Sequence, residues 1–506
     1  MVGLGAIGAV AVVELGRLLL AVVERWPAGA GAIGMTAYVA FLAGAAILVA
    51  LPYLLPAGRR IDALLLALGL SLTVAVRLAA MTLIDAPLPV DGVDYRQVAI
   101  SFADGGCCFA ERAPGLSLAL AIPYAMFGPE IVVHETLNLA AAGIGGWLVY
   151  AIVRTEWRAR AAASALIAFA LTPSLALLVP VLLTETLFIT LVLGVLRAVQ
   201  LAVRREAGWL APLAAGAMLA AAQYVRPLAP ILLPAAAAVP LLEAPSLRRG
   251  TAIAGAITLA FAVGVLPIVA HNLEAYGDPS IASSTFGGAL LYVGTTQETD
   301  GRISSRLADE IRTMPGANQW ERSQRAQRIA IDRILDDPAA FTGLVLRKFP
   351  IMWGNDEEGV RFAYSRAELS RPLGASLLLM SQSAYVAIVL GAIGGLWLTR
   401  RRPPAVVLMI AIVIVGAIGL HALVEVKPRY HAWLIPLFLI VAAPLLARLG
   451  ERLASRLQPP FGGLGGLGGG GLDPVVGRPD EHGGGQADDE VDEVRPRRRV
   501  EHRAGE

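Results

Sequence analysis

Apolar runs recur along the chain from residue 3 to residue 448, separated by short polar segments and by two longer ones. Most of these runs are roughly 20 residues long, the length of helix that crosses a hydrocarbon core of about 30 Å. The pattern predicts an all-α polytopic membrane protein with about twelve transmembrane helices. The predicted spans are 3–23, 34–55, 62–84, 131–153, 161–179, 181–203, 209–224, 227–243, 251–270, 374–399, 404–424 and 431–448.

Clusters of arginine fall in alternate connections between these runs. They are Arg59 and Arg60, then Arg154, Arg158 and Arg160, then Arg204 and Arg205, then Arg248 and Arg249, and finally Arg400, Arg401 and Arg402. Short cytoplasmic loops carry the excess of Lys and Arg, so these connections and both chain termini are predicted to be cytoplasmic. The other connections, near 24–33, 85–130, 224–227, 271–373 and 425–430, then face outward.

The predicted domains follow from these connections. Residues 1–61 hold two helices that precede a core at 62–270, and residues 374–448 hold the last spans. The first outer loop, 85–130, contains an apolar run, Leu116–Phe127, that is too short to span and is predicted to be a juxtamembrane helix. The second outer loop, 271–373, is long enough for a small domain, and its stretch 339–353 is predicted to lie on the membrane with Arg347 and Lys348 toward headgroups. The glycine-rich, charged segment 449–506 is predicted to be a disordered cytoplasmic tail.

The composition agrees with a chain whose main solvent is lipid. Of the 506 residues, 56% are hydrophobic and 16% are charged, and the mean hydropathy is +0.63. A soluble domain carries about 25% charged residues. The two cysteines, Cys107 and Cys108, are neighbours and are interpreted as packing residues rather than an ordinary disulfide. The first run is too long for a signal peptide, so it is interpreted as a retained span.

Polar residues that can carry chemistry gather at the ends of spans predicted to face outward. They are Asp91, Asp94, Tyr95, Glu185, Arg226, His271, Asn272, Arg429 and Tyr430. Taken singly, each is typical of an interfacial anchor or a helix cap. Together they offer a carboxylate that can take a proton from a hydroxyl group and arginines that can hold a departing phosphate.

A divalent cation is a further possibility that the sequence leaves open. Asp91 and Asp94, with Glu185, would give an all-oxygen set of ligands, although two aspartates three apart are common in loops. No cofactor is assigned on this basis. The chain has no P-loop, no G-x-G-x-x-G after a strand, no H-E-x-x-H and no G-x-S-x-G. Soluble nucleotide chemistry is therefore unsupported, and no nucleic-acid partner is expected.

The first outer loop resembles that of the GT-C glycosyltransferases related to the bacterial aminoarabinose transferase and the protein O-mannosyltransferases. That loop runs Asp-x-x-x-Tyr, then Ala and Gly, then Arg-x-Pro-Gly and an apolar helix that ends Phe-Gly. The corresponding residues are Asp91, Tyr95, Ala99, Gly105, Arg112, Pro114, Gly115, Phe127 and Gly128. Weaker matches follow at Asn138, Glu185, Arg226, Pro227, His271, Asn272, Tyr276, Gly277, Asp278, Pro279, Asp337, Pro338, Leu346, Arg347, Lys348, Trp353, Arg429, Tyr430 and His431. The resemblance covers roughly residues 62 to 448.

The resemblance implies an inverting glycosyltransferase of a bacterial inner or plasma membrane. It would move a sugar from a polyprenyl-phosphate donor to an extracytoplasmic hydroxyl of a lipid, glycan or protein. Asp91 would be the general base with Asp94 in support, and Arg226 and Arg429 would bind the donor phosphate. His271 stands where an arginine is expected and would bind phosphate only when protonated. Cavity or supporting positions would be Tyr95, Arg112, Asn138, Glu185, Asn272 and Tyr430.

Other classes of function stay open at this stage. A dozen spans is a common number for a transporter or lipid flippase, but such proteins place coupling charges at the midplane of repeated, broken helices. Here the midspan charges are few, namely Glu14, Arg17 and Arg77, and the two halves of the chain are not alike. A polysaccharide polymerase or ligase is a second alternative. A membrane scaffold without activity is a third.

Overall fold

A computed structural model describes residues 1–25, 30–83, 88–106, 111–366 and 371–457. Cys107, Cys108 and the predicted tail from residue 458 onward lie outside these ranges. The described residues form twenty α-helices and two short 3-10 helices, and they contain no strand. The predicted all-α class is therefore confirmed.

The helices follow one another through the whole described chain. The first twelve are α1 (Val2–Arg25), α2 (Ala30–Leu54), α3 (Arg59–Leu83), α4 (Val90–Ala103), α5 (Gly115–Phe127), α6 (Ile131–Glu156), α7 (Ala159–Leu171), α8 (Pro173–Leu177), α9 (Glu185–Arg204), α10 (Leu210–Val225), α11 (Ala229–Glu243) and α12 (Leu247–Tyr276). The others are α13 (Gly287–Gly294), α14 (Ser305–Thr313), α15 (Gln319–Asp336), α16 (Pro338–Trp353), α17 (Glu358–Arg366), α18 (Arg371–Thr399), α19 (Ala405–Leu423) and α20 (Ile435–Leu457). The 3-10 helices are Gln297–Thr299 and Pro428–Leu434.

Nine of the described helical segments are long and apolar enough to cross a membrane, by length and composition. They lie in α1, α2, α3, α6, α9, α12, α18, α19 and, together with the 3-10 helix before it, α20. The polytopic membrane class is confirmed, but nine differs from the predicted number because three predicted spans contain shorter helices. The predicted span 161–179 is divided into α7 and α8 at Pro173, and the arginine–proline turn at 226–227 separates the short helices α10 and α11.

The break after α7 is stabilised by a buried arginine from α3. The residue before a proline avoids the helical region, so α7 ends at Leu171 and leaves carbonyl groups without partners. Arg77 donates to two of them, Ala170 O at 3.2 Å and Phe169 O at 3.3 Å, and its guanidinium lies 4.7 Å from the Phe169 ring centroid. A cation is favourable at a helix C-terminus. This midspan charge therefore has a structural role.

Small residues allow the helices to pack closely. Gly395 of α18 faces the backbone of α20 at Val441, and Gly216 of α10 faces the backbone of α12 at Ile257, so neither position has room for a side chain. Such contacts are typical of helix association in lipid. The two helices that precede residue 59 are part of the same bundle, because α1 packs on α18 and α2 packs on α7 and α18.

The outer loops build two further layers. In the first loop, α4 and α5 pack on each other, with α5 as the short apolar helix that the sequence predicts. In the second loop, α13, α14 and α15 share a small core of their own. Its buried residues are Ala289, Tyr292, Val293, Leu307, Ile311, Ala326 and Ala330.

Two predictions are wrong: the orientation of Lys348 and the residue at which the C-terminal tail begins. Lys348 does not point to headgroups: it is buried, and its Nζ donates to Gly294 O at 2.9 Å and Ala422 O at 2.8 Å, at the C-terminal ends of α13 and α19. The two helix dipoles favour a cation there, and burial lowers the pKa of Lys348 to about 8. The predicted tail also begins too early, because α20 continues through residues 449–457.

Candidate active site

The first turn of α4 carries the acidic group predicted to be the base. The helix begins after Pro89, whose backbone is extended, so Asp91 lies at a helix N-terminus, where a carboxylate is favourable. Gly92 presses against the segment that leads to α9: a Cβ atom there would lie 2.8 Å from Leu182 O. The close approach brings Asp91 next to the start of α9.

Asp91 binds two arginines from distant parts of the sequence. Its Oδ2 accepts a hydrogen bond from Arg429 Nη2 at 2.5 Å, and its Oδ1 lies 3.0 Å from Arg112 Nη2. Burial alone would raise the pKa of this carboxyl, but the charges of Arg429 and Arg112 hold the pKa below its usual value. Asp91 is therefore a carboxylate at neutral pH, and its side chain is 24% exposed.

Arg112 binds both Asp91 and Asp94 of the first outer loop. Besides its contact with Asp91, its Nε donates to Asp94 Oδ2 at 2.6 Å, and its guanidinium lies 5.2 Å from the ring centroid of Phe286. Burial opposes its charge, but the two carboxylates hold the pKa of Arg112 above its usual value. The second outer loop supports this segment, because Thr285 N donates to Glu111 O at 2.9 Å.

Two more ion pairs connect Arg429, the partner of Asp91, to the interior of the bundle. Arg429 stands in the 3-10 helix before α20, and its Nε lies 3.7 Å from Glu185 Oε1. Glu185 opens α9 and is 1% exposed, and its Oε1 accepts a hydrogen bond from Arg226. Arg226 has extended backbone after α10, and its Nε also donates to Thr184 Oγ1 at 2.8 Å.

These contacts join six side chains into one network, which we call the charge chain. In order of contact its members are Asp94, Arg112, Asp91, Arg429, Glu185 and Arg226. Carboxylates and guanidinium groups alternate along it, and their formal charges cancel. This offsets part of the cost of removing the charged groups from water. The structure thus brings together both predicted catalytic residues and both predicted phosphate-binding arginines.

Four other predicted residues support the segments around the charge chain. Asn138 Nδ2 donates to Val179 O at 2.9 Å and Val181 O at 3.2 Å, and so fixes the segment before α9. Asn272 Nδ2 donates to Ser280 O and Ala282 O in the second outer loop. The ring of Tyr95 lies beside Arg112, and burial raises the pKa of Tyr95. Tyr430 donates to Glu425 Oε2 at 2.9 Å.

His271 lies near the end of α12 and makes an aromatic contact. Its ring packs edge to face on Tyr276, with 5.9 Å between the ring centroids. This contact lies within α12, and His271 stands six residues before Gly277, whose backbone is in the left-handed region at the end of the helix. A role for His271 in phosphate binding stays a prediction.

The carboxylates of the charge chain do not fit a metal site as they are placed. Asp91, Asp94 and Glu185 are each engaged by an arginine. Within the part of the chain that the structure describes, no group of three His, Cys, Asp or Glu side chains lies close enough to hold an ion. The guanidinium groups occupy the space between the acids, so this arrangement suits an anion better than a cation.

A family comparison bears on the same residues. Residues 111–271 match the model of the family described as dolichyl-phosphate-mannose-protein mannosyltransferase. The matched segment includes Arg112, Glu185 and Arg226 of the charge chain. The similarity to this family is confined to residues 111–271 of the 506-residue chain. A search of curated proteins found no match to this chain.

Solved structures resemble this protein only distantly. The oligosaccharyltransferase AglB from Archaeoglobus fulgidus, in complex with an inhibitory peptide and a dolichol-phosphate, is 14% identical with a TM-score of 0.47. The match covers 77% of this chain and 51% of AglB, so the chain spans about half the length of that relative. ArnT from Cupriavidus metallidurans bound to undecaprenyl phosphate is 14% identical over 77% of this chain and 78% of ArnT, with a TM-score of 0.37. Likenesses of this size assign no residue and no activity.

The sequence alone does not single out two charged neighbours of the site, Lys427 and Glu425. Lys427 Nζ lies 3.2 Å from Glu425 Oε1, and the charge of Lys427 also contributes to the lowered pKa of Asp91. Glu425 is 3% exposed. Lys427 is one of only two lysines and stands two residues before Arg429, which is the signal that would have identified it.

Proposed function

We propose that this protein transfers a sugar, with inversion, from a polyprenyl-phosphate carrier to an extracytoplasmic hydroxyl group. The observation that carries the proposal is the contact of Asp91 with Arg112 and Arg429. A carboxylate that can accept a proton lies directly beside two guanidinium groups suited to phosphate. The description of the matched family, which names a dolichyl-phosphate sugar, agrees with a donor of this class.

In the proposed reaction, Asp91 accepts a proton and the arginines bind the phosphate. The acceptor oxygen bonds to the anomeric carbon of the sugar while the bond from that carbon to the phosphate oxygen breaks. The electron pair of the broken bond leaves with the polyprenyl phosphate, and the proton of the acceptor hydroxyl passes to Asp91. Arginines that bind the phosphate stabilise the negative charge that develops on it.

The donor must compete with Asp91 for the same N–H groups. Before it binds, Arg112 and Arg429 are engaged by the Asp91 carboxylate. When these arginines turn to the phosphate, Asp91 loses the partners that lower its pKa and becomes a stronger base. A base is most effective when its pKa approaches the working pH. The donor therefore binds first and activates the base for the acceptor.

The geometry favours Arg112 over Arg226 as the second phosphate-binding arginine. Arg226 donates through Nε to Thr184 and through Nη2 to the buried Glu185, so two of its donors are already used within the bundle. Arg112 contacts Asp91 directly, and its side chain is 26% exposed. We assign Arg226 the task of holding Glu185, which in turn lies 3.7 Å from Arg429 Nε.

The proposed location is a bacterial inner or plasma membrane with both termini in the cytoplasm. The alternation of arginine clusters supports this orientation. The charge chain would then lie at the outer face, where the acceptor is a hydroxyl of an envelope lipid, glycan or protein. A transporter is less well supported, because the charge chain lies at helix ends and the midspan Arg77 caps a helix.

The decisive experiment compares Asp91→Asn with the wild-type protein. We expect the variant to accumulate in the membrane but to lose transfer, because an amide cannot accept the proton. Mass spectrometry of the cell envelope, with and without the protein, identifies the molecule that gains the sugar and provides the assay. Asp309→Asn is the matched control, since Asp309 is an exposed carboxylate of the second outer loop. Full transfer by Asp91→Asn would show that Asp91 is not the base.

A further inference from the structure

A buried layer of polar side chains lies where the second outer loop returns to the bundle. Asp356 follows α16 and is 4% exposed. Its backbone N donates to Gln382 Oε1 at 2.9 Å, and Ser381 Oγ donates to Asp356 O at 2.8 Å and to Oδ2 at 3.1 Å. The loop end is thereby fixed to α18.

His431 lies against the same layer from the start of the last span. Its side chain is fully buried, its Nδ1 is 2.7 Å from Met352 O, and its Nε2 is 3.6 Å from Asp356 Oδ1. A carbonyl oxygen only accepts, so Nδ1 carries a hydrogen. The distance from Nε2 to Asp356 Oδ1 is longer than a hydrogen bond but within the range of an ion pair. Each ring nitrogen of His431 thus has a polar group beside it, which offsets part of the cost of burying the side chain.

The pair is coupled to the charge chain through the backbone. His431 and Arg429 belong to the same 3-10 helix, Pro428–Leu434, two residues apart. With three residues per turn, their side chains point in different directions. His431 points to the loop end at Met352 and Asp356, whereas Arg429 points to Asp91 and Glu185. The direction of Arg429 therefore depends on how firmly the other side of this helix is held.

We propose that Asp356 and His431 form a positioning pair that holds Arg429 in the direction needed to bind the donor phosphate. The inference rests on the proposed function, because it takes Arg429 as a phosphate-binding group. A buried ionisable pair is rarely the most stable way to fill its space, and apolar side chains of similar volume are often as good. What the pair supplies is a directional contact at one end of a short helix.

The same layer gives the first helix a part in supporting the site. Gln382 Nε2 donates to Gly354 O at 2.7 Å and to Ala11 O of α1 at 3.0 Å. Gly354 stands at the end of α16, two residues before Asp356, and a Cβ atom there would lie 3.0 Å from Glu14 Cγ of α1. The helix that precedes the predicted core thus packs directly behind the positioning pair.

The test compares two substitutions of Asp356 in the full-length protein in nanodiscs. Asp356→Asn keeps the shape of the side chain and a polar group beside His431 Nε2, so the contact survives. In Asp356→Leu it is lost. We expect Asp356→Leu to bind undecaprenyl phosphate at least about tenfold more weakly and Asp356→Asn to stay close to wild type. In transfer assays the KM for the donor should rise in Asp356→Leu while the KM for the acceptor does not change.

Tyr385→Phe separates positioning from a general loss of stability. Tyr385 belongs to the same layer, and its hydroxyl donates to Trp353 O at 3.1 Å. The variant should unfold at a lower temperature with unchanged affinity for undecaprenyl phosphate. The inference is overturned if Asp356→Leu is destabilised in the same way and still binds the probe like wild type.

A further variant keeps the test decisive if Asp356→Leu does not accumulate. His431→Asn retains a donor for Met352 O but loses the contact with Asp356, and it should weaken probe binding as Asp356→Leu does. Wild-type affinity in His431→Asn would overturn the inference. Failure of the proposed function looks different: Arg429→Ala would then bind undecaprenyl phosphate as well as wild type, whatever the Asp356 variants do.

Discussion

At the scale of single residues, the central feature is that the proposed base is bound by the proposed phosphate ligands. Asp91 lies within 3.0 Å of both Arg112 and Arg429. A carboxylate held in this way is a weak base, and guanidinium groups held in this way are not free for a phosphate. In the proposed reaction, the donor phosphate relieves both conditions in one exchange of partners. The proposal therefore implies that Asp91 stays a weak base until the donor has bound.

This exchange predicts that removing the carboxylate charge strengthens phosphate binding. In Asp91→Asn, the internal anion that competes for the two arginines is gone while the shape of the side chain is kept. We expect undecaprenyl phosphate to bind about fivefold more tightly, which corresponds to about 1 kcal/mol. Titration of the purified variant measures the effect. Asp94→Asn is the control, since Asp94 contacts Arg112 alone and should change affinity less; unchanged or weaker binding in Asp91→Asn would contradict the exchange.

At the scale of helices, the sequence allowed some elements to be predicted and concealed others. The short helix α5 was predictable because its apolar run is bounded by Pro114 and Gly128. The division of 161–179 was missed because the run contains no charged residue, and only Thr172, Pro173 and Ser174 indicate a break in the helix. The burial of Lys348 could not be predicted, because it depends on two helix ends that come from distant parts of the chain.

Helix contacts also predict that one small residue controls the site without taking part in it. A Cβ atom at Gly92 would lie 2.8 Å from the carbonyl oxygen of Leu182, so Gly92→Ala must push α4 away from the start of α9. Overpacking of this kind costs about 1–3 kcal/mol. We expect transfer to fall at least about tenfold in a protein that still accumulates.

Gly143→Ala is the matched control for this helix contact. Gly143 lies inside α6, and a Cβ atom there meets no atom within 4 Å, so the substitution should leave transfer unchanged. Equal transfer rates for Gly92→Ala and Gly143→Ala would show that the position of α4 does not govern the reaction.

At the scale of the whole molecule, the charge chain joins residues that are far apart in sequence. Asp91 and Arg429 are separated by 338 positions. The alternation of arginine clusters and the family resemblance were enough to place them at one level of the membrane. They were not enough to select the partner of Asp91, because Arg112 and Arg226 both lie at that level. That choice depends on the burial of Glu185, which takes Arg226 as its own partner.

The orientation of the bundle decides whether a lipid-linked donor and an envelope acceptor can meet at the charge chain. After Cys107 and Cys108 are replaced by alanine, we expect Asp309→Cys to react with a membrane-impermeant maleimide in intact cells, because Asp309 is exposed in the second outer loop. Gly58→Cys, in the exposed connection between α2 and α3, should react only after the cells are permeabilised. The reverse pattern would place Asp91 on the cytoplasmic side. An extracytoplasmic hydroxyl could not reach it there, and the proposed acceptor would have to be abandoned even if Asp91 were essential.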